Sequence, residues 1–379
     1  MNILMLARSL NRGGAERQLV NLATGLATRG HEVSVALFYE GGELERGLGG
    51  SGVSMIHLNK HGRYDFVSLA IRLRSLCRKL GPDILHTWMV DPNVAGSLLK
   101  SVLPVRSLVW DVRASNMDTA AYGWFPRLMF LASSRLVCAA DVIVTNSEAG
   151  SRFHAARGYP TTKMRTISNG IDTSVFQPGD TATLRESWGA ARDDLLVGLI
   201  ARLDPMKDHP TFIRAAAIAA RQQARFRFVL VGDGPEDYRA ELAALAEKEG
   251  VTSQLLWAGT HDNMPAVHSA LDISCSASAW GEGFSNSLAE SMACGVPCVA
   301  TDVGDARRMI EDCGWIVPPG EPSALAHALL EASGVGDQAR KTMGARAMAR
   351  IRDNFSVEAM LDSYEAAYAD ALSKRSPGH

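Results

Sequence analysis

The sequence predicts an α/β protein made of two doubly wound, Rossmann-like domains facing a central cleft. Three observations predict it. The 379 residues exceed what one hydrophobic core usually organises, roughly 100 to 200 residues. Short β-type runs alternate with helical ones along the whole chain. A polar, Pro- and Gly-containing stretch, Phe176-Gln-Pro-Gly-Asp180, interrupts that alternation near the middle.

The elements follow in order. Ile3 to Ala7 reads as a strand, Ala15 to Thr28 as an amphipathic helix and Glu32 to Phe38 as a second strand after the Arg29-Gly30 turn, which makes a βαβ unit. Strands at Val53 to Leu58, Asp83 to Thr87, Leu108 to Val112, Asp141 to Thr145 and Lys163 to Ile167, with a helix at Phe66 to Leu80, extend a mostly parallel sheet covered on both faces. A second series has strands at Leu195 to Ala201, Phe226 to Val231, Gln254 to Trp257, Ile273 to Cys275 and Pro297 to Ala300. Helices at Gln338 to Arg352 and Val357 to Leu372 close the chain, with Ser356 an N-cap candidate. The expected domains are 1–180 and 181–355, and the terminal helix within 356–379 is expected to pack back toward the first. Open α/β sheets bind ligands outside the carboxyl ends of their strands, so the chemistry is expected in the cleft.

Composition narrows the class. Hydrophobic residues make up 46% and charged residues 21%, an ordinary globular balance. The overall charge of -2 hides an asymmetry. Up to residue 180 there are 20 basic against 14 acidic residues, and after it 19 against 27, which gives net charges of +6 and -8. A basic first half suits an anionic partner such as a phospholipid surface or a phosphorylated acceptor, while nucleic acid would ask for a more strongly basic domain. The six cysteines form no CxxC pair and show no zinc spacing, so reduced, buried thiols are expected and no metal site. Asn2-Ile-Leu-Met-Leu-Ala7 lacks a basic n-region and reads as a strand; no stretch is apolar for the roughly 20 residues a bilayer span needs. A cytoplasmic protein is expected, with any membrane contact peripheral, at the inner face. The aromatic and basic segment Tyr122 to Arg135 and the basic run Arg72 to Lys79 are the places for that contact.

The densest signal is Trp280-Gly-Glu-Gly-Phe-Ser-Asn-Ser-Leu-Ala-Glu290-Ser-Met-Ala-Cys-Gly-Val-Pro297. A glycine-containing turn and a Ser-Asn pair open an amphipathic helix. The backbone around Gly283, Phe284, Ser285, Asn286 and Ser287 can offer N–H groups to phosphate or sugar hydroxyls. Glu282 stands before the helix as an acceptor for sugar hydroxyls, and Glu290, one turn in, can reach a ribose diol. Arg202 and Lys207, in Ala201-Arg-Leu-Asp-Pro-Met-Lys207-Asp-His, follow a strand and precede a helix, where two cations suit a diphosphate. Val229-Leu-Val-Gly232-Asp-Gly234-Pro lacks the third glycine of a dinucleotide fingerprint, because position 237 is Asp.

Glu282 and Glu290, with seven residues between them, resemble the EX7E motif of retaining glycosyltransferase family 4, a GT-B family. The likeness runs through Glu-Gly-Phe-Ser-Asn-Ser-Leu-Ala-Glu-Ser-Met-Ala-Cys-Gly-Val-Pro to Thr301-Asp-Val-Gly304, and Asn169 to Pro178 resembles the segment before the linker. The resemblance implies a nucleotide diphosphate sugar on the second domain, a saccharide or lipid-linked acceptor approaching from the first, retention of configuration, and no cofactor. It implies that Arg202 and Lys207 stabilise the leaving diphosphate and that Gly232 lets the ligand approach the backbone or serves as a plain turn. Asn11-Arg-Gly13-Gly14-Ala-Glu-Arg17 resembles the family's glycine loop, which implies Gly14 at the donor and Arg17 toward the acceptor. Arg113 stands where many members carry histidine; there it would bind an anionic group. His86, in His86-Thr-Trp88, is a further candidate for the acceptor side. The absence of a DxD triplet points to a metal-independent reaction, and the resemblance implies hexosyl or related transfer in surface polysaccharide or glycolipid synthesis. A nucleotide-sugar 2-epimerase and a non-catalytic nucleotide-sugar-binding protein remain the alternatives.

Overall fold

A computed structural model describes residues 1–62, 64–113 and 124–373, without the side chains of 124–126. The chain forms two compact units, 1–170 with 357–379, and 171–356.

The first unit carries a seven-stranded parallel sheet of β1 (Asn2–Ala7), β2 (Glu32–Leu37), β3 (Ser54–His57), β4 (Ile84–Trp88), β5 (Ser107–Val112), β6 (Val142–Thr145) and β7 (Met164–Thr166), in the order β3-β2-β1-β4-β5-β6-β7. Its helices are α1 (Gly14–Thr28), α2 (Phe66–Leu80), α3 (Val90–Leu99), α4 (Trp124–Leu136) and α5 (Glu148–Ala155). Ile3, Leu4, Met5 and Leu6 are all fully buried, as a strand covered on both faces requires. Leu19, Leu22, Ala23 and Leu26 form the apolar stripe that seats α1 on one of those faces.

The second unit has a six-stranded parallel sheet of β8 (Leu195–Ile200), β9 (Phe226–Val231), β10 (Leu255–Gly259), β11 (Ile273–Ser276), β12 (Cys298–Thr301) and β13 (Gly314–Val317), in the order β10-β9-β8-β11-β12-β13. Around it lie α6 (Ala182–Ser187), α7 (His209–Gln222), α8 (Glu236–Glu249), α9 (Met264–Ser269), α10 (Asn286–Ala293), α11 (Ala306–Ile310), α12 (Pro322–Gly334) and α13 (Asp337–Asn354). The last helix, α14 (Val357–Ser373), belongs to the first unit, where Met360, Leu361, Tyr364 and Tyr368 enter the core beside α1.

The boundary lies at 170/171 rather than at 180/181. Ile171 N–H donates to Phe355 O at 2.8 Å and Ile171 bridges Ser356, while Ile171 and Phe176 pack with the second unit's core. Cys77, Cys275, Cys294, Cys298 and Cys313 are buried free thiols, but Cys138 is exposed, which corrects the expectation for that residue.

Both sheets reverse their winding once, between β1 and β4 and between β8 and β11. At such points the helices leaving two adjacent strands go to opposite faces, and the loops at the strands' carboxyl ends part.

Candidate functional site

In the second unit the switch point is built from the loop after β8, which carries Arg202 and Lys207, and the loop after β11, which carries Glu282. The two loops hold each other. Asp204 accepts from Met206 N–H at 2.9 Å, which closes the turn that ends at Lys207, and Ala279 N–H donates to Met206 O at 2.9 Å. Gly281 has φ +76, and a Cβ there would lie 2.6 Å from Met206 Sδ, so only glycine fits. Asp208, itself at φ +48, caps α7 by accepting from Thr211 N–H at 3.1 Å.

Lys207 and Glu282 meet as a result. The ammonium donates to Glu282 Oε2, and Ser278 Oγ donates to the same oxygen at 3.2 Å. The side chains are 17% and 12% exposed, open enough for a ligand and screened enough for the charges to act strongly. Lys207, Ser278 and Ser287 also line one small recess. The Arg202 side chain, in contrast, is 75% exposed and only loosely paired with Asp204 at 3.5 Å.

Behind the β11 loop, the Thr301–Gly304 segment acts as a buttress. Thr301 Oγ1 donates to Ser278 O at 2.6 Å and Asp305 N–H to Gly283 O at 2.9 Å. Gly304, at φ +65, lies so close that a Cβ would stand 2.4 Å from Glu282 O. Ser285 then precedes α10, whose first turn of N–H groups has no intrahelical acceptor. Asn286 and Ser287 are half-buried, whereas the Phe284 ring is buried against Phe355, so only the backbone of Phe284 is suited to a ligand. Gly232 has a structural reason to be glycine: at φ +133 a Cβ there would fall 2.0 Å from Ala201 O.

Glu290 is buried and paired. Its Oε2 lies 3.1 Å from His268 Nε2, and His268 Nδ1 lies 2.7 Å from Ser291 Oγ. Sequence reasoning missed His268 entirely, because it lies 22 residues upstream with no motif around it.

In the first unit, Gly13 precedes α1 and Gly14 opens it, exposed, at the switch point after β1. Arg17 sits half-buried at the end of the first turn, its N–H donating to Gly13 O at 3.1 Å. Two expectations need correction. His86 is not open to an acceptor: it is the middle of β4, fully buried, with Nδ1 2.8 Å from the Tyr368 hydroxyl. Nor is Arg113 an open cation. Its Nε donates to Asp111 Oδ1 at 2.7 Å, its terminal nitrogens donate to Asn169 Oδ1 at 2.6 Å and to the Tyr364 hydroxyl at 2.9 Å, and its guanidinium stacks 4.0 Å from the Trp88 ring. Tyr364 in turn donates to Asp111.

The electrostatics of this cluster are internally balanced. Burial opposes ionisation of Asp111, but the Arg113 charge and His86 outweigh it and hold the carboxyl below its usual range. Burial lowers the His86 pKa and raises those of Tyr364 and Tyr368. The signal that could have found the pair is local: Asp111 and Arg113 are two apart at the end of a strand and share a face. The tyrosines, on α14, gave no such signal.

Among the described residues, no group of three or more His, Cys, Asp or Glu side chains is placed to hold a metal, and no helix is long and apolar enough to cross a membrane. Of the aromatic segment, Tyr122 and Gly123 lie outside the described residues. Along α4, Arg127, Leu128, Leu131 and Arg135 are exposed while Ser133 is buried. On α2, the basic run expected from the sequence lies beside exposed Phe66, Val67 and Ile71.

The family described as "Glycosyltransferase Family 4" matches residues 12–175, and that described as "Glycosyl transferases group 1" matches residues 194–333. The chain is 23% identical over 367 residues to N-acetyl-alpha-D-glucosaminyl L-malate synthase of Bacillus anthracis, covering 95% of this chain and 94% of that one. It is 31% identical over 264 residues to D-inositol 3-phosphate glycosyltransferase of Acidothermus cellulolyticus, 66% of this chain and 58% of that protein. Among solved structures, Anabaena Alr3699/HepE in complex with UDP superposes with a TM-score of 0.85 at 23% identity, covering 97% of this chain and 100% of that one. At that identity the likeness establishes the fold, two Rossmann-like domains of GT-B type.

Proposed function

We propose that this chain, which belongs to the family 4 type of GT-B glycosyltransferases, transfers a hexosyl or related sugar from a nucleotide diphosphate sugar to a saccharide or lipid-linked acceptor, with retention of configuration. The observation that carries the reading is the Lys207–Glu282 pair at the second unit's switch point, beside the N-terminus of α10. A donor diphosphate brings more negative charge than one carboxylate, so it competes for the Lys207 ammonium and releases Glu282 to accept from sugar hydroxyls. Lys207, the exposed Arg202 and the first-turn amides of α10 then stabilise the charge that builds on the leaving diphosphate. That work needs neither a protein nucleophile nor a divalent ion. Glu290 accepts from the ribose. The HepE structures with UDP and with UDP-glucose support a nucleotide sugar as the donor.

Thermal-shift screening against UDP-, GDP- and ADP-sugars tests the donor: stabilisation by at least one nucleotide sugar is expected, and none would remove the reading. The anomeric coupling of the product, read by NMR, tests retention, and an inverted product rejects it. Undiminished turnover in a chelator-treated buffer is expected for metal independence.

The acceptor reading is a surface polysaccharide or glycolipid at the inner face of the membrane. What supports it is α2, where Val67 and Ile71 are exposed near Arg74, Arg78 and Lys79 and the first turn holds no acid. Flotation with anionic liposomes, but not with neutral ones, is the expected result, and equal recovery with both would exclude this surface.

A further inference from the structure

His268 is fully buried on the six-residue helix α9, whose start is fixed by Asn263 accepting from Ala266 N–H at 3.2 Å. Both ring nitrogens are engaged by consecutive side chains of α10. Nδ1 lies 2.7 Å from Ser291 Oγ, and Nε2 lies 3.1 Å from Glu290 Oε2. Ser291 is anchored in turn, with its Oγ 2.8 Å from Ser274 Oγ on β11. The Phe176 ring meets the imidazole edge-on, 5.8 Å away. The ring therefore has no freedom to turn, and its position is tied to the strand and helix that flank the Lys207–Glu282 pair.

A glutamate on a helix has three rotatable side-chain bonds, and freezing them costs conformational entropy. A partner that freezes them beforehand spares the ligand that cost, the general advantage of preorganisation. Glu290 has such a partner. Packing alone would be met by any residue of similar volume, but here both imidazole nitrogens are used and one of them ends on the carboxylate.

We infer that His268 is a positioning residue, holding the Glu290 carboxylate in the orientation that accepts from a ribose diol and so setting the ribose selectivity of the nucleotide subsite. The inference rests on the reading of Glu290 as the ribose acceptor. His268 itself touches no substrate.

The test is calorimetric titration of UDP, ADP and GDP, each against its 2′-deoxy form, for the parent chain and four variants. A hydroxyl bound to a charged acceptor corresponds to roughly tenfold or more in affinity, so the parent should prefer ribo over deoxy by at least about that factor. Glu290→Ala should bring the ratio to about one. His268→Ala should cut the ratio toward one while leaving the affinity for the deoxy nucleotide unchanged, and His268→Gln, whose amide can donate to the carboxylate, should restore most of it. Ser291→Ala keeps the test available if His268→Ala does not fold: by freeing the far side of the imidazole it should lower the ratio in part. A parental ratio in both His268→Ala and Ser291→Ala, beside a collapsed ratio in Glu290→Ala, would show that His268 only packs. A parental ratio in Glu290→Ala would instead overturn the ribose reading beneath the inference. Failure of all three nucleotides to bind would remove the subsite altogether.

Discussion

Replacing Arg113 by alanine should destabilise the first unit far more than it changes ligand binding. The substitution strips two donors from Asp111, Nε at 2.7 Å and a terminal nitrogen at 3.2 Å, and leaves a carboxylate with no exposure to solvent. Breaking a buried ion pair from one side costs about 3 to 5 kcal/mol, because the remaining charge keeps its desolvation penalty. For a domain of this size each kcal/mol moves the melting temperature by roughly 2 to 4 °C, so a drop of about 6 to 20 °C is expected. Tyr364→Phe removes one hydroxyl from the same carboxylate but keeps the ion pair, and should cost less, about 1.5 to 3 kcal/mol. Pairing Arg113→Met with Asp111→Leu removes both charges and should recover much of the loss. The pH dependence has a definite sign. Asp111 is held below its usual pKa, so its contribution is present above the unfolded carboxylate range and is lost as pH falls through its folded value. In Arg113→Ala that acid-side loss should shrink. Calorimetric melting and urea unfolding, each followed at several pH values, make the measurements. A folded Arg113→Ala protein within about 0.5 kcal/mol of the parent that has lost sugar transfer would refute this account and put Arg113 back at a ligand.

Two other predictions concern the second unit. His209 is fully buried with no hydrogen-bond partner on either ring nitrogen among the described residues, and burial, aided by the Lys207 charge, pushes its pKa down to about 4. The unfolded state therefore binds more protons between pH 6.5 and that value, so stability falls as pH falls across the window, by about 3 kcal/mol at most; His209→Gln should flatten that slope in urea titrations, and an unchanged slope would exclude His209 as its source. Gly232→Ala should destabilise by about 2 kcal/mol or more, from the positive φ and the collision with Ala201 O, and an alanine variant of parental melting temperature would contradict the close approach.

Much of the fold was legible because its signal is local. Buried parallel strands are short apolar runs, and β1, β5, β8 and β9 lie within a residue or two of where those runs end. β13 was missed: Gly314-Trp-Ile-Val317 is four residues long and opens on a glycine, too little for periodicity. α3 was missed because Pro92 reads as a breaker, although in a first turn its absent N–H costs nothing. The Lys207–Glu282 meeting was legible in kind, as two motifs at the carboxyl ends of strands, but the contact itself depends on β8 and β11 being neighbours, which sequence order hides. His86 read as an acceptor-side candidate because a polar residue near the carboxyl end of a strand suits a ligand; its partner Tyr368 arrives from α14, 282 residues later. Partners that far apart are supplied by topology, and no spacing in the chain announces them.

The most direct test is turnover of a nucleotide diphosphate sugar by the parent and by Lys207→Ala, both checked for folding by melting temperature. The parent should release nucleoside diphosphate in step with sugar transferred, and the folded variant should be slower by about 100-fold or more, the usual loss when a preorganised electrostatic donor is removed. Normal transfer by a folded Lys207→Ala protein would contradict the claim that the Lys207–Glu282 pair is where the leaving diphosphate is held.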